Sequence, residues 1–109
     1  MSFIVLELSI EAARKLRMPL EHLRRRDPSL ADQIRRAVAS VVLNIGEGNE
    51  RVGRDRVYHF RVAAGSAGEV RAALRLAVAL GELSPSSAQP IADIVSRVIR
   101  ILWKLTGRP

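Results

Sequence analysis

The stretch SVVLNIGEGNER, Ser40 to Arg51, decides how the chain is read. Val41, Val42 and Ile45 fall at helical spacing. The apolar run is interrupted by Asn44, and Glu47 then stands between Gly46 and Gly48. Three meanings compete for Gly-Glu-Gly. A phosphate cradle presents backbone N–H groups at a helix start. These glycines follow a helical run, and a carboxylate between them repels phosphate. A catalytic carboxylate needs a base, a metal or a second carboxylate beside it, and the nearby Glu50 and Asp55 fall in a loop and at a helix start. The remaining meaning is a helix terminus, with Glu47 accepting hydrogen bonds from an arginine. Arg35, Arg36 and Arg61 are the candidate donors.

Working outward, helical spacing recurs throughout and strand alternation is absent. The first helix is expected over about Leu6 to Arg25, with Leu6, Ile10, Ala13, Leu16, Leu20 and Leu23 inward and Pro19 as a kink. Asp27 caps the second helix and Pro28 sits in its first turn. That helix runs from about Ser29 to Ile45, with Leu30, Ile34, Ala37, Val38, Val41, Val42 and Ile45 inward. The third, about Arg54 to Leu80, spans roughly 40 Å at 1.5 Å per residue. Its inward set is Val57, Phe60, Ala64, Ala67, Leu74 and Val78. Gly81 closes it, and Pro85 and Pro90 bar continuation. The fourth runs from about Pro90 to Leu105, with Ile91, Ile94, Val95, Val98, Leu102 and Leu105 inward. Short connections between helices of similar length predict an all-α fold, an antiparallel up-down-up-down four-helix bundle in a single domain over residues 1–109.

The 109 residues are 48% hydrophobic but only 4% aromatic, so aliphatic side chains and alanine must fill the core. With no cysteine there is neither a disulfide framework nor a thiol nucleophile. No run approaches the roughly 20 apolar residues of a membrane span, and nothing reads as a signal peptide. A cytoplasmic, non-enzymatic protein without metal or cofactor is expected. His22 and His59 read as surface or edge residues. The 18 Lys and Arg against 11 Asp and Glu leave a net charge of +7. That balance suits an anionic partner, nucleic acid foremost.

Three sets of residues carry the functional expectation. Gln33, Arg36, Ser40, Asn44 and Glu47 share one polar stripe of the second helix, and Ser66 and Glu69 form a matching interruption on the third. The two seams are expected to meet. Val62, Ala73, Leu76 and Leu80 give the third helix a second apolar face, about 120 to 150 degrees from the first. Leu43 and Trp103 also fall outside their helices' best stripes, and together these six predict an oligomer interface. Arg54, Arg61 and Arg75 form one basic strip, and Arg97, Arg100 and Lys104 a second, suited to tracking a phosphate backbone. Arg24, Arg25 and Arg26 cluster at the first turn. With no recognition module and no row of aromatic side chains, sequence-specific reading is not expected.

The run QIRRAVASVVLNIGEG (33–48), followed by AAGSAGE (63–69), resembles the bacterial four-helix bundle proteins encoded by intervening sequences in large-subunit ribosomal RNA genes. Gln33, Arg35, Arg36, Ala37, Ser40, Asn44, Ile45, Glu47, Gly48, Phe60, Gly65, Ser66 and Glu69 match that pattern, as does LGEL (80–83). Gly46 stands where Ala is usual, Gly53 where a capping Ser or Thr is usual, and Arg56-Val57 where the family has Glu-Phe. The aromatic residue often found in the first helix is missing. The resemblance implies a homo-oligomeric ring, typically a pentamer, with an RNA-binding or ribosome-associated role. A related bundle family is accessory to a retroelement reverse transcriptase, so a partner enzyme is the alternative.

Overall fold

Asp27 makes the first corner of the fold. Its carboxylate accepts a hydrogen bond from the Leu30 amide at 3.0 Å, and Pro28 occupies the first helical position, where no N–H is needed. The computed structural model describes residues 2–107. Four helices make up nearly all of them: α1 (Ser2–Arg26), α2 (Pro28–Asn49), α3 (Gly53–Ala79) and α4 (Pro85–Thr106). Neighbours around the square are α1–α2, α2–α3, α3–α4 and α4–α1, with the most extensive interface between α2 and α3. This is the up-down-up-down bundle, 42 Å long and about 20 Å across. No described helix is long and apolar enough to cross a membrane.

The core is aliphatic, and Phe60 is its one fully buried aromatic side chain. Ala31 and Ala37 on α2, and Ala63, Ala67, Ala73 and Ala77 on α3, are buried between the helices. Such small residues let α2 and α3 approach closely. In α2 Ile34, Ala37, Val41 and Ile45 are buried as expected, while Leu30, Val38 and Val42 are half-buried and Ala31 and Gly48 are buried in addition. In α1 the inward phase differs: Val5, Ser9, Ala12, Leu16 and Leu23 are buried, while Leu6, Ile10, Ala13 and Leu20 are half-buried at the edge. Ser9 is tolerated inside because its hydroxyl donates to the Leu6 carbonyl at 2.7 Å. Pro19 does not interrupt α1. The carbonyl deprived of its helical donor belongs to Lys15, an exposed residue.

Two boundaries depart from the sequence reading. The fourth helix begins five residues early. Ser84 caps it, its hydroxyl accepting from the Ser87 amide at 3.2 Å, and Pro85 opens it. Pro90 lies inside the second turn, its position exposed, and the added turn buries Ala88. Gly-Glu-Gly is likewise no break: α2 continues through it to Asn49. Ile45 and Gly48, three residues apart, both face inward. A Cβ on Gly48 would stand 2.5 Å from Cε1 of Phe60 and 2.7 Å from its Cδ1. Gly48 is there for close packing, not for chain reversal. The helix ends at the next residue, where the Arg56 guanidinium donates to the Gly48 carbonyl at 3.0 Å and the Asn49 carbonyl at 3.3 Å. The Gly48 carbonyl also accepts from the Arg51 amide at 3.1 Å, so backbone and side chain together close the helix end. Gly53, at φ +61°, then turns the chain into α3.

At the opposite pole the turn after α3 meets the α1–α2 corner. Glu82 lies against Asp27, and its Oε1 is shut off from solvent. Burial, a side-chain hydrogen bond with Asp27 and the Asp27 charge raise the Glu82 carboxyl above its ordinary 4.5, against a smaller lowering by Arg26.

Two predictions follow from these corners. Gly48→Ala forces Phe60 out of its packing and is expected to destabilise by about 1–3 kcal/mol, as overpacking does. Gly46→Ala has open space around its Cβ and should be neutral or stabilising by up to ~1 kcal/mol. Urea denaturation of both variants checks the contrast. For Glu82, a raised native pKa means that the folded state holds the proton more tightly than the unfolded chain. Its contribution is present in acid and lost as pH rises through the raised value. Glu82→Gln should therefore raise the melting temperature at pH 7 and converge on the parent below the ordinary 4.5.

Candidate nucleic-acid interface and polar seam

The expected polar seams meet along the α2–α3 interface. The hydroxyls of Ser40 and Ser66 are hydrogen-bonded at 2.7 Å. Asn44 Nδ2 donates to the Ser40 carbonyl at 2.9 Å and to its hydroxyl at 3.3 Å. Asn44 Oδ1 only accepts, so His59 donates to it through Nδ1, at 2.9 Å. Gln33 reaches Glu69 at 3.5 Å, the long limit of such a bond. The Ser40–Ser66, Asn44–His59 and Gln33–Glu69 ties cross between helices in the otherwise apolar α2–α3 contact, and a register slip would break them together.

Two members leave the seam. Arg36 turns outward to Asp32, 3.1 Å away one helical turn back. Glu47 pairs with Arg51 at 2.8 Å, not with Arg35, Arg36 or Arg61, and Arg51 also approaches Asp55 at 3.8 Å. These pairs are largely exposed, worth about 0.3–0.5 kcal/mol each at helical spacing. His59, expected at the surface or an edge, stands half-buried at the α2–α3 edge and joins the seam. Its signal was available, since it stands seven residues before Ser66 and therefore on the same side of α3. Its ring packs edge-on against Tyr58, with centroids 5.2 Å apart.

The six residues read as an oligomer interface divide. Leu43, Leu76 and Leu80 are exposed at 69%, 48% and 56%, and Val62 is half-buried. Ala73 is buried inside the protomer, where α3 faces α2, and has no surface to offer a second copy. Trp103 packs half-buried on the core. Tyr58 joins the exposed group instead: it lies one turn before Val62 and five turns before Leu76, on one side of α3. The exposed line is thus Tyr58, Val62, Leu76 and Leu80, with Leu43 beside it on α2.

All six cations of the two basic strips are exposed, and among the described residues none is in an ion pair. Arg97, Arg100 and Lys104 border one shallow depression, between Ile4 and Ile101. Arg54 and Arg61 border another, with Val57 and Tyr58. Arg75 stands apart, over a recess formed with Pro85 and Gln89. Arg71, absent from the sequence reading, donates to Ser96 at 3.2 Å and ties α3 to α4 beneath the two strips. Between Gly53 and Gly107 cations outnumber acids two to one; Arg54, Arg61 and Arg75 lie on the α4 side of α3, whereas Arg97, Arg100 and Lys104 lie on the outer surface of α4, beside Ile4 of α1. Among the described residues no group of three or more His, Cys, Asp or Glu could hold a metal ion.

The model of the family described as 23S rRNA-intervening sequence protein matches residues 2–104. Among solved structures, the crystal structure at 1.70 Å of a protein of unknown function from the S23 ribosomal protein family of Bacteroides thetaiotaomicron superposes with a TM-score of 0.84. The two are 21% identical over 94% of this chain and 97% of that one, a likeness of fold. No curated protein matches the sequence.

Proposed function

The chain belongs to the 23S rRNA-intervening sequence protein family, and from that premise we propose that it is a self-assembling bundle that binds RNA through the outer surfaces of α3 and α4. The observation that carries the reading is the state of the six cations Arg54, Arg61, Arg75, Arg97, Arg100 and Lys104. Among the described residues Arg14, Lys15, Arg36 and Arg51 are engaged with neighbouring acids, whereas these six, like Arg17, Arg24 and Arg35 on α1 and α2, are not. The six are exposed and unengaged. Had they served internal pairing, they would face carboxylates.

Unpaired guanidinium and ammonium groups on these surfaces neutralise phosphates and release counterions, a contribution that is independent of base sequence. Tyr58 is the one exposed aromatic ring bordering a basic depression, too few for a stacking platform, so backbone binding is the chemistry offered. Binding rather than catalysis is the role this arrangement supports. Assembly multiplies the effect, since each added copy repeats these surfaces and turns weak contacts into avidity. Exposed Leu43, Leu76 and Leu80 lie on the α2–α3 side, so copies joined there, as a pentamer by resemblance, leave the depressions at Arg54 and Arg61 and at Arg97, Arg100 and Lys104 open.

RNA binding is checked by fluorescence anisotropy with a single-stranded RNA across a salt series. Affinity should fall steeply with salt, and R97Q/R100Q/K104Q should lower the slope of log K against log salt by about 2. No binding at micromolar RNA in about 50 mM salt would reject the proposal. Assembly is checked by light scattering: the parent should exceed its 12.0 kDa protomer mass, and Leu76→Glu should release protomers. A parent mass at the protomer value, or an unchanged assembly in the variant, removes this seam as the interface.

A further inference from the structure

We propose that the groove between α1 and α2 docks an acidic amphipathic helix of a partner protein. It lies on a different bundle face from the six cations, and the proposal does not depend on RNA binding. Leu16, Leu20, Val38 and Val42 form its floor, and Ala13 and Ala39 line it where larger side chains would close it. The space is about 430 Å³. Leu20, Val38 and Val42 are only half-buried, so the floor keeps apolar surface that α1 and α2 do not cover. Arg17 and Arg24 stand on one bank and Arg35 on the other, all exposed, and among the described residues none is in an ion pair. Glu21 is the one acid in the lining.

Charge complementarity selects the occupant. Arg17 and Arg24 are two turns apart, about 10.5 Å along α1. A helix laid in the groove, with apolar residues at i, i+3, i+4 and i+7 downward, carries its flanks past both banks, where Asp or Glu meets the guanidinium forks. Single-stranded nucleic acid fits poorly, because the floor is apolar and has no aromatic ring for a base to stack on. A small ligand fits poorly too, because the groove is open along its length while such ligands are typically enclosed over about 70–90% of their surface.

The test uses the full chain, ¹⁵N-labelled, and a peptide of about 16 residues, near the length at which an isolated helix becomes populated. The peptide carries Leu at helical spacing and Glu on both flanks. Amide shifts are expected to be confined to Ala13–Arg24 and Arg35–Val42. R17E/R24E/R35E, three exposed sites, should keep its circular dichroism and weaken the peptide by at least about tenfold. Ala39→Trp, which fills the groove without changing charge, should weaken it independently. The proposal is overturned if millimolar peptide leaves these amides unmoved, if the shifts fall on α3 and α4, or if a peptide with Lys in place of Glu binds equally well. It is also overturned if the groove amides shift with protein concentration alone, which assigns the groove to a second copy, or if RNA displaces the peptide from it.

Discussion

The ring of Phe60 occupies the place where a side chain at position 48 would be. Much of the molecule's arrangement follows from that contact. It brings the end of α2 against the start of α3, and the same approach lets Arg56, one turn before Phe60, close the carbonyls at the end of α2. With the helices held this close, buried alanines can fill the interface where larger residues would push them apart. Close approach also puts the short side chains of Ser40 and Ser66 within hydrogen-bonding distance of each other. The polar seam is thus a consequence of tight packing as much as a constraint upon it.

Much of this was legible in the residues, and where it was not, the reason is physical. Helix number and order follow from spacing and from strong corners, such as Asp27-Pro28 and Gly81. Glycine is ambiguous by nature. It marks a chain reversal when the backbone needs a positive φ, as at Gly53, and a close approach when a neighbour needs the volume, as at Gly48. Only the identity of the neighbour separates the two, and Phe60 lies 12 residues away beyond a turn. Proline carries a similar ambiguity. Pro85 and Pro90 both look like barriers, but Ser84 makes the first a helix start, and Ala88 lies in phase with Ile91 and Val95, so continuing through the second is rewarded with burial.

In α1 the sequence offers two adjacent stripes. The one chosen contains Ser9 and Ala12 in place of the larger Ile10 and Ala13 pair. Smaller side chains inside α1 suit a core already filled by Phe60 and the leucines of the other helices. The bulkier residues are left at the edges facing α2 and α4, which is why Leu20 contributes to an open groove instead of a sealed core. Site residues were less legible than the core for a related reason. Where Arg36 and Glu47 point depends on partners four residues away, Asp32 on the same helix and Arg51 in the turn after it, and those local partners are reached more readily than any residue across an interface.

A square bundle has four lateral faces, and here they differ in chemistry because each is built from a different pair of helix edges. The α2–α3 edge is tied by uncharged polar side chains and flanked by exposed Leu43, Leu76 and Leu80. The outer surfaces of α3 and α4 are basic, and Arg71 ties the two helices together through Ser96. The α1–α2 edge combines apolar floor with arginine banks. The α2–α3 seam keeps its hydrogen bonds internal, whereas unpaired cations border the other faces. One fold can hold both because the helix phase that buries Phe60 and Leu74 also sets Arg61 and Arg75 on the opposite margin of the same helix.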